Sequence, residues 1–299
     1  MTETIRHLNR RAFLATATAA AGALALSGKP LGFLIGSQTY PHRDRIKNGE
    51  FPALLKDMAD IGIETIELCS PGYADFVSLA DGKKTRKIIE DAGLTCRSAH
   101  FNLPALRTKQ PEMIAWAKDI GMTQMATATL SGPMKDGVTT MDAIKRAADE
   151  YNKIGAVAAK AGIQQVLHNE GFELAKVEGD KRFCYDVLFE LLDPALVKFQ
   201  FQMSTTRNLG DPQAYFSKYP GRFISLHLQG VNLTAPPPPP PPPGGGRGPG
   251  IPQLAVGTDS MDWAKVFTGA KAAGIKNYFV EQTWDLTVQS VRYLKTLNV

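Results

Sequence analysis

The stretch Gly162-Ile163-Gln164-Gln165-Val166-Leu167-His168-Asn169-Glu170-Gly171-Phe172-Glu173 decides how this chain is read. A mainly apolar run behind a glycine reads as a buried strand, and its far end gathers one imidazole and two carboxylates. Side chains alternate faces along a strand, so His168 and Glu170 are expected to point the same way. In an α/β barrel the chemistry stands where strands end, at the mouth formed by the following loops. A polar loop after an ordinary core strand would look the same locally, so the decision rests on whether the chain repeats the pattern.

It does. Ile61-Gly62-Ile63, Ala92-Gly93-Leu94, Ala161-Gly162-Ile163 and Ala273-Gly274-Ile275 each place glycine and an apolar residue behind a helical stretch. Glycine ends the helix, and the apolar residue opens the next strand. Strands are expected over residues 32–38, 62–69, 94–100, 122–127, 162–167, 197–203, 223–229 and 277–282. Helices are expected over 51–61, 83–92, 112–120, 141–161, 183–192, 212–218, 261–273 and 286–297. In the first, Leu54, Leu55, Met58 and Ile61 keep the spacing of one helical face. Asp259-Ser260 reads as the cap of the seventh. Eight strand–helix units imply the α/β class and a single-domain (β/α)8 TIM barrel over residues 31–299. An open doubly wound sheet is the alternative, but no Gly-x-Gly-x-x-Gly turn follows the first strand, and no nucleotide cofactor is expected.

Two segments stand apart. Asn9-Arg10-Arg11-Ala12-Phe13-Leu14 precedes an Ala-rich apolar run, and residues 1–30 read as an export signal resembling the twin-arginine type. The expected location is periplasmic or otherwise extracytoplasmic, with no stable membrane anchor after export, since the apolar run is short for a membrane span. The second segment, 236–250, is a proline run followed by glycines, inserted after the seventh strand. It reads as a flexible surface insertion, with a lid over the mouth as the alternative.

Bulk composition is globular: of 299 residues, 43% are hydrophobic and 21% charged. The net charge of +5 is concentrated at the start, where Arg6, Arg10, Arg11 and Lys29 face Glu3 alone; the remainder carries only +2. No nucleic-acid partner is expected from so even a balance. Cys69, Cys96 and Cys184 are too few and too scattered for a disulfide framework.

The expected strand ends supply Gln38, Tyr40, Glu67, His100, His168, Glu170, Gln202, His227 and Glu281. Glu281 follows Tyr278-Phe279-Val280, and a carboxylate in such surroundings needs a partner. Several further pieces recur in order: Gly36-Ser37-Gln38-Thr39-Tyr40-Pro41, Gly62-Ile63-Glu64-Thr65-Ile66-Glu67, Val197-Lys198-Phe199-Gln200-Phe201-Gln202, Leu226-His227-Leu228, Met261-Asp262-Trp263 and Tyr278-Phe279-Val280-Glu281-Gln282. With these, residues 31–299 resemble the xylose isomerase-like barrels, the sugar phosphate isomerase/epimerase superfamily that includes inosose dehydratases and ketose 3-epimerases and is related to endonuclease IV.

The resemblance implies one divalent metal held by strands five to eight. The matching positions are His168 or Glu170, Gln202, His227 and Glu281. Two depart from the family pattern, since relatives place Glu at the fifth strand and Asp where Gln202 stands. With fewer anions, Mn²⁺, Zn²⁺ or Co²⁺ suits the set better than Mg²⁺. It further implies a metal-dependent sugar isomerase or epimerase that abstracts a proton beside a carbonyl and stabilises an enediolate on the metal. Glu281 is the expected base, opposite Glu170 or Glu173, while Gln38, Tyr40, Glu67 and His100 contact a small carbohydrate substrate. A lyase or hydro-lyase on keto-sugars or keto-glycosides and a noncatalytic sugar-binding barrel are the alternatives, with an abasic-site endonuclease more distant. Export argues against phosphorylated substrates.

Overall fold

The computed structural model describes residues 29–236 and 252–299; the expected export signal and nearly all of the Pro/Gly insertion lie outside them. Eight parallel strands close a barrel: β1 (Gly36–Gln38), β2 (Thr65–Cys69), β3 (Thr95–His100), β4 (Gln124–Thr127), β5 (Gln164–His168), β6 (Val197–Gln202), β7 (Phe223–Leu228) and β8 (Asn277–Val280). Each pairs with the next, and β8 returns to β1, with Gly36 opposite Phe279 and Ser37 opposite Val280. Closure needs the glycine. A Cβ on Gly36 would lie 2.3 Å from the Tyr278 carbonyl oxygen and 2.6 Å from the Phe279 ring.

The main helices are α1 (Phe51–Ile61), α2 (Gly82–Asp91), α3 (Leu103–Ile120), α4 (Met141–Lys160), α5 (Cys184–Leu191), α6 (Pro212–Lys218), α7 (Trp263–Ala273) and α8 (Trp284–Leu294). They follow the eight strands in turn, as the repeated sequence pattern requires. Gly62 and Gly274 end α1 and α7 with φ of +96° and +82°, left-handed conformations that glycine adopts without a Cβ penalty. No helix among the described residues is long and apolar enough to cross a membrane.

Three local expectations change. Helix α3 begins at Leu103 rather than 112, because Asn102 accepts from the Ala105 amide at 2.7 Å and caps it. Pro111 lies inside it, and the backbone breaks from helical angles at Lys109 (φ −138°), which accommodates the missing N–H. The cap of α7 is Asp262, which accepts from the Lys265 amide, and not Asp259-Ser260. Asp259 instead accepts from the Val231 amide and from Trp263 Nε1. A two-stranded ladder, Val138–Thr139 beside Lys176–Val177, was too short to leave a periodicity.

The strands' outward residues meet the helices and form the core. Phe199 and Phe201 on β6 pack among Tyr185, Phe189, Tyr215 and Phe216 from α5 and α6. Inward residues near the carboxyl ends are polar, and there the site is built.

Candidate active site

The floor of the site is Glu67, fully buried inside the barrel. Strand alternation turns one polar residue from each of several strands toward it. Gln38 Nε2 donates to it at 2.8 Å, Ser98 Oγ at 2.6 Å and Gln200 Nε2 at 3.0 Å. His227 Nε2 lies 2.5 Å from Oε2, and His100 Nε2 lies 3.3 Å from the same oxygen. Burial works against the Glu67 charge, but His100 and His227 outweigh it and hold the carboxyl well below the usual range.

Three histidines stand above this floor. Nitrogen atoms of His100, His168 and His227 all lie within 4.8 Å of one another. His100 and His227 stack with rings 7° apart, and His100 Nε2 is 2.8 Å from Gln200 Oε1. On the other side, His227 Nδ1 is 3.2 Å from Glu281 Oε2. Gln202 Nε2 and Gln229 Nε2 donate to that same oxygen at 2.6 and 3.0 Å. Burial, reinforced by His227 and His100, keeps His168 well below the ordinary imidazole range and therefore neutral. Burial also disfavours charge on His227, yet Glu281 and Glu67 raise it to about 10. Glu281 is lowered to about 2; burial pushes it up, but His227, His168 and His100 prevail.

Four buried atoms at this centre have no hydrogen-bond partner: His168 Nδ1 and Nε2, His227 Nδ1 and Gln202 Oε1. Native interiors rarely leave such groups unpaired, and imidazole nitrogens with a carbonyl oxygen beside a carboxylate form a cation donor set. These residues therefore fit a divalent transition metal. Asn169 fixes the geometry: its Oδ1 accepts from the Gln202 amide and its Nδ2 donates to Thr205 Oγ1, locking β6's end to that of β5. Cys69 brings no thiolate, because burial raises its thiol well above the usual value.

No family model matches the sequence, nor does any curated protein. Solved structures do. A sugar phosphate isomerase/epimerase from Parabacteroides distasonis superposes with a TM-score of 0.70 at 19% identity, over 88% of this chain and 96% of that one. The probable 3-DHS dehydratase AsbF of Bacillus anthracis gives 0.64 at 12%, over 89% and 100%. A xylose isomerase-like TIM barrel protein from Mycobacterium smegmatis, in complex with magnesium, gives 0.62 at 14%, over 89% and 97%. The chain has the fold of the xylose isomerase-like barrels.

Within that fold, the structure brings together most of the residues expected from sequence but ranks them by depth. His168, Gln202, His227 and Glu281 meet around the unpartnered atoms. His100, expected at the substrate, stands in the histidine cluster. Gln38 and Glu67 were also expected at the substrate; both are wholly buried and bonded to each other beneath the histidines. Tyr40 and Glu170 line a cavity of about 350 Å³ at the mouth, with Arg43, Asp44, Gln229 and Glu281. Glu170 lies beyond the end of β5 and is exposed, whereas His168 is sealed inside. Glu173 does not face Glu281. It is buried and accepts from Thr129 Oγ1 at 2.8 Å and from the Leu130 and Gly171 amides at 2.7 and 3.2 Å. It clasps the β4 and β5 loops together, and burial raises its carboxyl to about 7.

Sequence reading missed Ser98, Asn169 and Gln200. The signal for Gln200 was present: in Phe199-Gln200-Phe201-Gln202, alternation puts both glutamines on one face. Nothing local marks Ser98 or Asn169.

Proposed function

We propose that this chain is a metal-dependent sugar isomerase or epimerase working outside the cytoplasm. The observation that carries this reading is the convergence of unpartnered buried nitrogens and a carbonyl oxygen from β5, β6 and β7 beside Glu281. The cluster adjoins the mouth cavity, which Glu281 also lines. His168, Gln202, His227 and Glu281 would hold the cation, with His100 adjacent. When bound, the metal supplies Lewis-acid polarisation of a carbonyl. The two-histidine, one-glutamine donor set favours Zn²⁺, Co²⁺ or Mn²⁺ over Mg²⁺.

The chain's own groups account for proton transfer and for the substrate class. Glu281 and Glu170 both line the mouth cavity, so a sugar bound there has a carboxylate available to remove a proton beside its carbonyl and another to return one. Gln202 and Gln229 hold Glu281 in place through its Oε2. Tyr40 offers a ring face, over which the Arg43 guanidinium lies at 4.9 Å. Among the described lining residues, Arg43 is the single cation against Asp44, Glu170 and Glu281. With the divalent cation bound the lining comes to about neutral, and Arg43 alone is a poor match for a phosphate dianion, so an uncharged aldose, ketose or keto-sugar is favoured.

The test is deuterium wash-in from solvent, run with Zn²⁺, Co²⁺ and Mn²⁺ on neutral and phosphorylated sugars. Deuterium beside the carbonyl of a neutral sugar supports the reading. An unsaturated product would reassign the chain as a lyase. Binding without exchange would make it a noncatalytic sugar-binding barrel.

A further inference from the structure

We propose that Glu67 is a positioning residue: it takes the Nε2 hydrogen of His227 and thereby leaves Nδ1 as the ligand atom for the cation. The proposal rests on the metal reading above and concerns which atom binds and what holds it there. A histidine binds metal through one ring nitrogen, and the hydrogen bond made by the other decides which. Here the two nitrogens are in unlike places. Nε2 lies 2.5 Å from Glu67 Oε2. Nδ1 faces Glu281 Oε2 at 3.2 Å outside hydrogen-bond geometry, on the side of the other unpartnered atoms, and a cation bound there replaces the proton that the free ring shares with Glu281.

Glu67 is equipped for this role and for no direct one. It is fully buried, so no substrate reaches it. Donors from β1, β3 and β6 engage its two oxygens: Gln38 on Oε2, and Ser98 and Gln200 on Oε1. With His227 on β7, four other strands fix one carboxylate. A buried carboxylate is costly unless it is fully hydrogen-bonded, and so complete an arrangement leaves it little freedom to move. Gln200 extends the hold to a second ring, since its Oε1 meets His100 Nε2 at 2.8 Å.

The experiment uses the full chain with ¹⁵N-labelled histidine and Zn²⁺ alone as probe. Long-range ¹H–¹⁵N spectra of the wild type should show a slowly exchanging, far-downfield hydrogen on His227 Nε2, with or without Zn²⁺, and zinc on Nδ1. In Glu67→Gln that hydrogen should move upfield, and Zn²⁺ affinity by chelator competition should fall roughly 10- to 100-fold, with circular dichroism unchanged. Zinc on Nε2, absence of the downfield hydrogen in the wild type, or unchanged affinity in Glu67→Gln would each overturn the proposal. Should the variant not fold, the wild-type spectra decide alone. A wild type that takes no Zn²⁺ would overturn the metal reading instead, with the hydrogen resonance still deciding whether Glu67 holds the ring.

Discussion

On strand β6, neighbouring residues live in opposite environments. Phe199 and Phe201 point outward into an aromatic layer, where Phe189 stacks on Phe199 at 4.0 Å and on Tyr219 at 4.0 Å. Gln200 and Gln202 point inward, toward Glu67, His100 and Glu281. On the outward face apolar surfaces meet apolar surfaces, and the polar atoms left unpaired in that layer, Tyr185 Oη and Arg222 Nε, belong to no cluster of ligating groups among the described residues. At the inward end Gln202 Oε1 is left unpaired together with both nitrogens of His168 on β5. A fold optimised for stability alone would not keep such groups, and sites kept at a cost to stability are where function is sought.

The largest effect on stability should come from the outward face. Phe199→Ala removes a ring with no solvent exposure and should cost about 3–5 kcal/mol in chemical denaturation, with metal content per folded chain unchanged. A loss of metal at unchanged stability would show that the two faces are not separate in the way described.

Next in size is Glu173, a polar group used for structure. Its carboxyl is raised from 4.5 to about 7. Between those values the folded chain keeps the proton that the unfolded chain has released, so the contribution of Glu173 to stability should fall as pH rises through that window and level off above it. Below pH 6.5 His168, kept neutral by folding, contributes the opposite slope, and above it His227, raised to about 10, continues the fall. The total for Glu173 is on the order of 3 kcal/mol. Denaturation curves across pH 4 to 8 for the wild type beside Glu173→Gln check this: the wild type should lose stability relative to the variant as pH rises. A difference between the two that stays constant with pH would contradict the raised carboxyl.

These cases mark how far the sequence could be read. The barrel was legible because its period is written eight times, and glycines such as Gly62 and Gly274 mark where helices stop. Alternation gave the right face for Glu67 and His227, since a strand fixes direction, but it failed for Glu170, which was expected beside His168 and lies exposed beyond the strand end. It did not give depth. Gln38 and Glu67 share the inward face with His227 but lie beneath it, and that order is set by the stagger between strands. Past the strand end even direction was lost. Glu173 enters a short 3-10 turn, Phe172–Leu174, which swings its carboxylate away from the cavity that Glu170 lines.

The smallest change in stability should accompany the largest change in binding, at His168. Both its nitrogens are buried and unpartnered, so replacing it with leucine strands no other group. Metal-free His168→Leu should be within about 1 kcal/mol of the wild type, or more stable. The most direct test of the central claim, that the inward face is a metal seat, is Co²⁺ or Zn²⁺ titration of the wild type beside this variant, followed by chelator competition and thermal unfolding. The account predicts one ion per wild-type chain, a rise in melting temperature on binding, and neither in His168→Leu. Equal binding by both proteins, or none by the wild type, would contradict it.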